Sequence, residues 1–122
     1  MATRVLLVED EFLIRMILAE PLADEGFEVV EAASGDEAAC LAQDTGFDLL
    51  LTDIQMPGRL DGVALARHLL RDRPDLPVVY VTGRPESLDR IERRERDAYV
   101  RKPYSPSEVI AVVRRLLRAD GA

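Results

Sequence analysis

A chain of 122 residues, 48% of them hydrophobic and 32% charged, has room for one globular core and none for a second. Its 16 basic and 23 acidic residues leave a formal charge of −7, which works against sequence-independent attraction to nucleic acid or to an anionic membrane. No apolar run reaches the length of a membrane span and no signal-peptide pattern precedes the first strand. The single Cys40 excludes an internal disulfide, so the expected setting is a reducing, cytoplasmic one.

In chain order, Arg4-Val5-Leu6-Leu7-Val8 reads as a buried strand that stops at Glu9-Asp10-Glu11. A helical pattern over 11–25 follows, with Pro21 as a kink inside it and Gly26 closing it. Phe12, Leu13, Ile14, Met16, Ile17, Leu18 and Leu22 surround this helix more widely than one sheet face can bury, so part of that apolar surface is expected at a partner. Residues 27–31 form a second strand, and Ser34-Gly35-Asp36-Glu37 is a capping box that opens a helix running to Gly46, on which Cys40 is expected to pack as a small apolar residue. The stretch Leu49-Leu50-Leu51-Thr52-Asp53, followed by Met56-Pro57-Gly58, reads as a central strand entering a sharp turn. Asp53 at its carboxyl end is either a helix cap or a reactive group.

Residues 61–72 carry a helix whose apolar arc is Leu65, Ala66, Leu69 and Leu70, with Arg67 and His68 on the solvated side. Pro74 and Pro77 precede a strand at 78–81 that ends at Thr82-Gly83. Residues 84–97 are dense in charge, and Leu88 and Ile91 alone can anchor a helix there, so that helix is expected to be short or irregular. A fifth strand, Ala98-Tyr99-Val100-Arg101, stops at Lys102-Pro103. Ser105-Pro106-Ser107-Glu108 then caps a last helix that buries Val109, Val112, Val113, Leu116 and Leu117 and turns Arg114, Arg115 and Arg118 to water. Alternating strands and helices imply an α/β doubly wound parallel sheet covered on both faces.

In such a sheet the ends of strands one, three, four and five share an edge, which gathers Glu9, Asp10, Asp53, Thr82 and Lys102. Three carboxylates in one cleft repel one another unless a divalent cation sits among them, and an oxygen-only set with water suits Mg²⁺. Lys102 and Thr82 supply a positive charge and a hydroxyl for the oxygens of a transferred phosphoryl group, with Asp53 as the nucleophile. Glu9 and Asp10 are also placed to cap the first helix.

The stretches LLVEDE (6–11), LLTDIQMPG (50–58), LDG (60–62), VYVTG (79–83) and YVRKPYSP (99–106) occur in one order along nearly the whole chain. In these the sequence resembles the receiver domain of two-component response regulators. The resemblance implies a flavodoxin-like (CheY-like) sheet of order 2-1-3-4-5 with five helices. It also implies a phosphoacceptor role for Asp53, direct Mg²⁺ ligation by Asp10, Asp53 and the backbone carbonyl of Gln55, and a water-mediated role for Glu9. Lys102, ahead of a cis bond to Pro103, would pair with the phosphoryl group. Thr82 would hydrogen-bond that group, and Tyr99 would change rotamer when Thr82 moves. The implied protein is a receiver without output domain, a monomer or weak homodimer. It would be phosphorylated by a sensor histidine kinase, act on an unknown downstream protein or as a phosphate shuttle, and have no catalysis beyond self-phosphotransfer and autodephosphorylation.

Departures are local. One residue is inserted in MPGRLDG, the interval from Thr82 to Lys102 is short, and Arg94-Glu95-Arg96-Asp97-Ala98 replaces a small-residue segment. Val81-Thr82-Gly83-Arg84 is similar to the Thr-Gly signature of alphaproteobacterial single-domain receivers paired with HWE-type kinases. Two other classes stand beside the switch: a phosphorylation-independent binding module, and an aspartyl-nucleophile phosphatase. The second wants an Asp two residues after the nucleophile, where this chain has Gln55. Leu13 and Met16 are expected on the kinase-docking surface.

Overall fold

The computed structural model describes residues 2–121, with side chains of the last helix as far as residue 118. Five strands, β1 (Arg4–Val8), β2 (Glu28–Ala32), β3 (Leu49–Asp53), β4 (Val78–Thr82) and β5 (Asp97–Arg101), form one parallel sheet in the order β2-β1-β3-β4-β5. Four α-helices, α1 (Phe12–Asp24), α2 (Gly35–Asp44), α3 (Gly62–Asp72) and α4 (Pro106–Gly121), and a 3-10 segment, Pro85–Arg90, make the connections.

The alternation of side chains along each strand divides the core in two. Val5, Leu7, Leu49, Leu51, Val79, Val81 and Val100 face α1 and α4, where they meet Leu18, Leu22, Val109, Val113 and Leu116. Leu6, Val8, Leu50, Val78 and Tyr80 face the other way, toward Ala38 of α2 and Val63, Leu65, Ala66 and Leu69 of α3. Both β3 and β4 are buried at every residue, as expected of central strands covered on two faces.

The capping signals act as read. Ser34 Oγ accepts from the Glu37 N–H at 3.0 Å, and the Glu37 carboxylate reaches back to the Ala33 N–H at 2.9 Å. Asp61 Oδ1 accepts from the Ala64 N–H at 2.9 Å, and Ser105 Oγ from the Glu108 N–H at 3.3 Å. Pro21 lies within α1. Phe12, Leu13 and Ile17 are exposed, as the surplus of apolar residues on that helix predicts.

Several expectations are corrected. Cys40 is exposed on α2, because Ala38 occupies the turn that meets the sheet and two positions further round the helix points to water. Neither Glu9 nor Asp10 caps α1: the cap position is Glu11, which makes no side-chain cap bond, and the Glu9 carboxylate bonds the Glu11 N–H ahead of the helix. Val112 and Leu117 are half-buried, at the margin of the stripe that Val109, Val113 and Leu116 define. Arg114 pairs with Glu25 across the contact of α4 with α1. The irregular fourth helix is the 3-10 segment, against whose side of the sheet Leu88 and Ile91 pack half-buried. No helix among the described residues is long and apolar enough to cross a membrane.

Candidate functional site

The carboxyl ends of β1, β3, β4 and β5 deliver Glu9, Asp53, Thr82 and Lys102 to one edge of the sheet. Parallel register is the reason. Asp53 stands beside Val81, and Thr82 beside Arg101, so each polar residue leaves its strand at nearly the same height. Gly62 brings α3 against this edge. A Cβ there would lie 2.1 Å from the Asp53 carbonyl oxygen, and its N–H donates to the Ile54 carbonyl at 3.0 Å. Gly58, at φ +106°, makes the turn between them. The LDG stretch is therefore a packing requirement of the site.

Asp53 is 4% exposed and held through both oxygens: Oδ2 accepts from Lys102 Nζ at 2.8 Å, and Oδ1 from the Gln55 N–H at 3.2 Å. Burial alone would lower the Lys102 pKa, but the Asp53 hydrogen bond and the charges of Asp53 and Glu9 raise it above its ordinary value. Glu9 is buried and Asp10 exposed, and one carboxylate oxygen from each lies within 4.8 Å of the others and of Asp53. Burial pushes the Glu9 carboxyl up to about 8, the Glu11 N–H opposing and the Asp53 charge adding to the rise. Three carboxyl groups round one cleft, one of them raised in pKa by burial and by its neighbour's charge, is the electrostatic condition that a divalent cation relieves. An oxygen-only donor set open to solvent at Asp10 fits Mg²⁺ in kind.

The Lys102–Pro103 peptide is cis. Thr82 is buried, and its hydroxyl is turned to Gln55 Oε1 at 2.9 Å and the Arg84 carbonyl at 3.1 Å, while it accepts from the Arg84 N–H at 2.9 Å. Tyr99 is half-buried and stacks on Tyr80 with ring centroids 5.6 Å apart, and the Arg93 guanidinium lies 4.9 Å from the Tyr99 ring centroid. One participant, Arg15, and the side-chain contacts of another, Gln55, were not legible beforehand. Arg15 donates to the Glu9 carbonyl at 2.8 Å and to Glu31 at 3.1 Å, which steadies the acidic loop from α1. Gln55 enters through its side chain as well as its backbone, and no local pattern marks either contact.

The sequence profile of the response regulator receiver domain matches residues 5–114. The chain belongs to the response regulator receiver family. Among curated relatives of this receiver, the transcriptional regulatory protein ResD of Bacillus subtilis is 37% identical over 118 residues, which cover 95% of this chain and 48% of that protein. SrrA of Staphylococcus aureus is 38% identical over 120 residues, 97% of this chain and 49% of that protein. The receiver thus spans about half the length of the curated relatives it matches. A response regulator receiver protein from Sinorhizobium medicae superposes with a TM-score of 0.89 at 28% identity, covering 97% of this chain and 96% of that one. TrrA from Thermotoga maritima, solved in complex with Mg²⁺-BeF, superposes at 0.84 with 31% identity, covering 93% and 98% of the two chains. The fold is CheY-like, and the family makes this chain a phosphoacceptor module of a two-component system.

Proposed function

We propose that Asp53 accepts a phosphoryl group from the phosphohistidine of a sensor histidine kinase. Asp10, Asp53 and the Gln55 carbonyl would hold Mg²⁺, with Glu9 acting through water. The bound ion supplies positive charge to the phosphoryl oxygens during transfer. In the transfer a carboxylate oxygen of Asp53 bonds phosphorus, the P–N bond breaks, and the imidazole leaves with the electron pair. The carrying observation is one buried carboxylate with Lys102 Nζ at 2.8 Å on one side and two further acids within 4.8 Å on the other. Lys102 offsets the charge that accumulates on the acyl phosphate.

Phosphorylation replaces about one negative charge by nearly two and adds acceptor oxygens. The Thr82 hydroxyl, at the end of the strand next to that of Asp53, is the switch donor, and its turn toward the phosphoryl group makes room for Tyr99 to move, biasing a partner surface. The exposed Phe12, Leu13 and Ile17 of α1, with the half-buried Met16, form the face offered to the kinase. The Thr82-Gly83 pair at the end of β4 favours an HWE-type kinase. The phosphatase alternative lacks an acid two residues beyond Asp53, where Gln55 stands.

Intact mass after incubation with Mg²⁺ and acetyl phosphate, or with a phosphorylated histidine kinase, tests the reading. One phosphoryl group is expected on the wild type and none on Asp53→Ala. Absence from both, with either donor, would move the assignment to a phosphorylation-independent binding module.

A further inference from the structure

Thr82 has one hydroxyl hydrogen, and the structure directs it at Gln55 Oε1, 2.9 Å away, and the Arg84 carbonyl, 3.1 Å away. The other end of the same Gln55 amide donates to Ser87 Oγ at 2.5 Å. Ser87 is the buried residue of the 3-10 segment. The Gln55 side chain thus joins the hydroxyl at the end of β4 to the buried residue of the segment that replaces a helix between β4 and β5, beside the direct bonds of that hydroxyl to Arg84 just ahead of the segment. Other ties on this segment sit at its far end: Arg90 pairs with Asp61 at 2.8 Å, and the Arg90 carbonyl accepts from Arg67 at 2.8 Å. The half nearer the site, from Pro85 to Leu88, has the Ser87 bond, the Ser87 N–H to Arg84 carbonyl turn at 3.0 Å and the half-buried Leu88.

We propose that Gln55 is a positioning residue that holds the Thr82 hydroxyl away from the phosphoryl site and, through Ser87, makes the 3-10 segment respond to whether Thr82 has left. The inference rests on the phosphoacceptor reading of Asp53. When the phosphoryl oxygens draw Thr82, Gln55 Oε1 loses its donor. A half-buried amide oxygen without a donor is unfavourable, so the amide re-solvates. Room for that exists: Gln55 lines an open cavity of about 390 Å³ with Met56, Pro57, Asp61 and Arg90. Swinging there, Gln55 gives up Ser87, and a six-residue 3-10 turn with weak internal bonds loosens at its near end. This link runs beside the Tyr99 motion and needs no rotation of that ring, which is stacked on Tyr80.

Amide hydrogen exchange of wild type, Ser87→Ala, Ser87→Thr and Tyr99→Leu, each with and without Mg²⁺ and beryllofluoride as a stable stand-in for the phosphoryl group, tests it. In wild type, exchange at residues 86–88 is expected to rise roughly threefold to tenfold on adding beryllofluoride, the change that loss of one hydrogen bond supports. Ser87→Ala is expected to show the raised rate from the start with no further rise, while still taking up one phosphoryl group by intact mass. Ser87→Thr, which keeps the hydroxyl, restores the response, and Tyr99→Leu retains it. A merely structural role for Ser87 would raise the basal rate but leave the beryllofluoride response in place. Phosphoryl uptake with a full response in Ser87→Ala, with none in wild type, or with loss of the response in Tyr99→Leu alone would overturn the relay and leave the receiver reading standing. No uptake by wild type would overturn both.

Discussion

Two crossovers of the same topology flank the phosphoacceptor edge, and they are built in opposite ways. The one from β3 to β4 contains α3, 11 residues long, capped by Asp61 and burying Gly62, Val63, Leu65, Ala66 and Leu69. The one from β4 to β5 contains a 3-10 segment of six residues with no side-chain cap and Ser87 as its buried residue. The first fixes Asp53 in place through Gly62. The second has little burial to hold it and is tied to the site by hydrogen bonds. Position beside a reactive group therefore does not decide rigidity; the apolar area each segment brings does. A rigid crossover sets the geometry of the acceptor, and a weakly held one is free to change when the acceptor is modified.

The largest expected break of this contrast is Leu65→Ala, which removes a fully buried side chain of α3 and should lower unfolding free energy by about 3 kcal/mol in urea titration. Gly62→Ala follows at about 2 kcal/mol, because the added methyl meets the Asp53 carbonyl. It should also slow phosphoryl uptake, since the displaced backbone carries the acceptor. Asp61→Ala removes the α3 cap and the exposed Arg90 pair together and is expected to lose about 1 kcal/mol. Leu88→Ala, on the weak crossover, should change stability by less than about 1 kcal/mol. A Leu88 effect as large as that of Leu65 would remove the distinction between the two segments.

A last measurement reads sign rather than size. The Glu9 carboxyl holds its proton up to about 8 in the folded chain and near 4.5 otherwise, so between those values the folded state binds the extra proton. Glu9 therefore stabilises fully below about 4.5 relative to its ionised state, and that contribution is lost as pH rises through about 8. The unfolding midpoint of Glu9→Gln should gain on that of wild type as pH rises across this window in metal-free buffer. Added Mg²⁺ should narrow the difference, because it favours the ionised carboxylate.

Strand and helix identities were legible because each rests on short-range periodicity and on local caps such as Ser34, Asp61 and Ser105. The acids, Thr82 and Lys102 could be brought together from topology, since parallel strands of equal length end on one edge. That the fourth helix is short and irregular was also readable from residues 84–97, where Leu88 and Ile91 are the apolar anchors among mostly charged neighbours. Strand and helix ends moved by a residue or two, as with β2, which begins at Glu28 rather than Phe27.

What the chain's own order determined, then, is which residues could meet: hydrophobic spacing is a property of neighbours in sequence, and it dictates five parallel strands with their polar ends aligned. Tertiary structure alone decided how they meet. Glu9 turns into the cleft instead of capping α1, Cys40 faces water because Ala38 takes the contact, and Gln55 reaches both Thr82 and Ser87. Each of these depends on the distance between side chains from separate elements, a quantity that exists only once the sheet and its crossovers have packed.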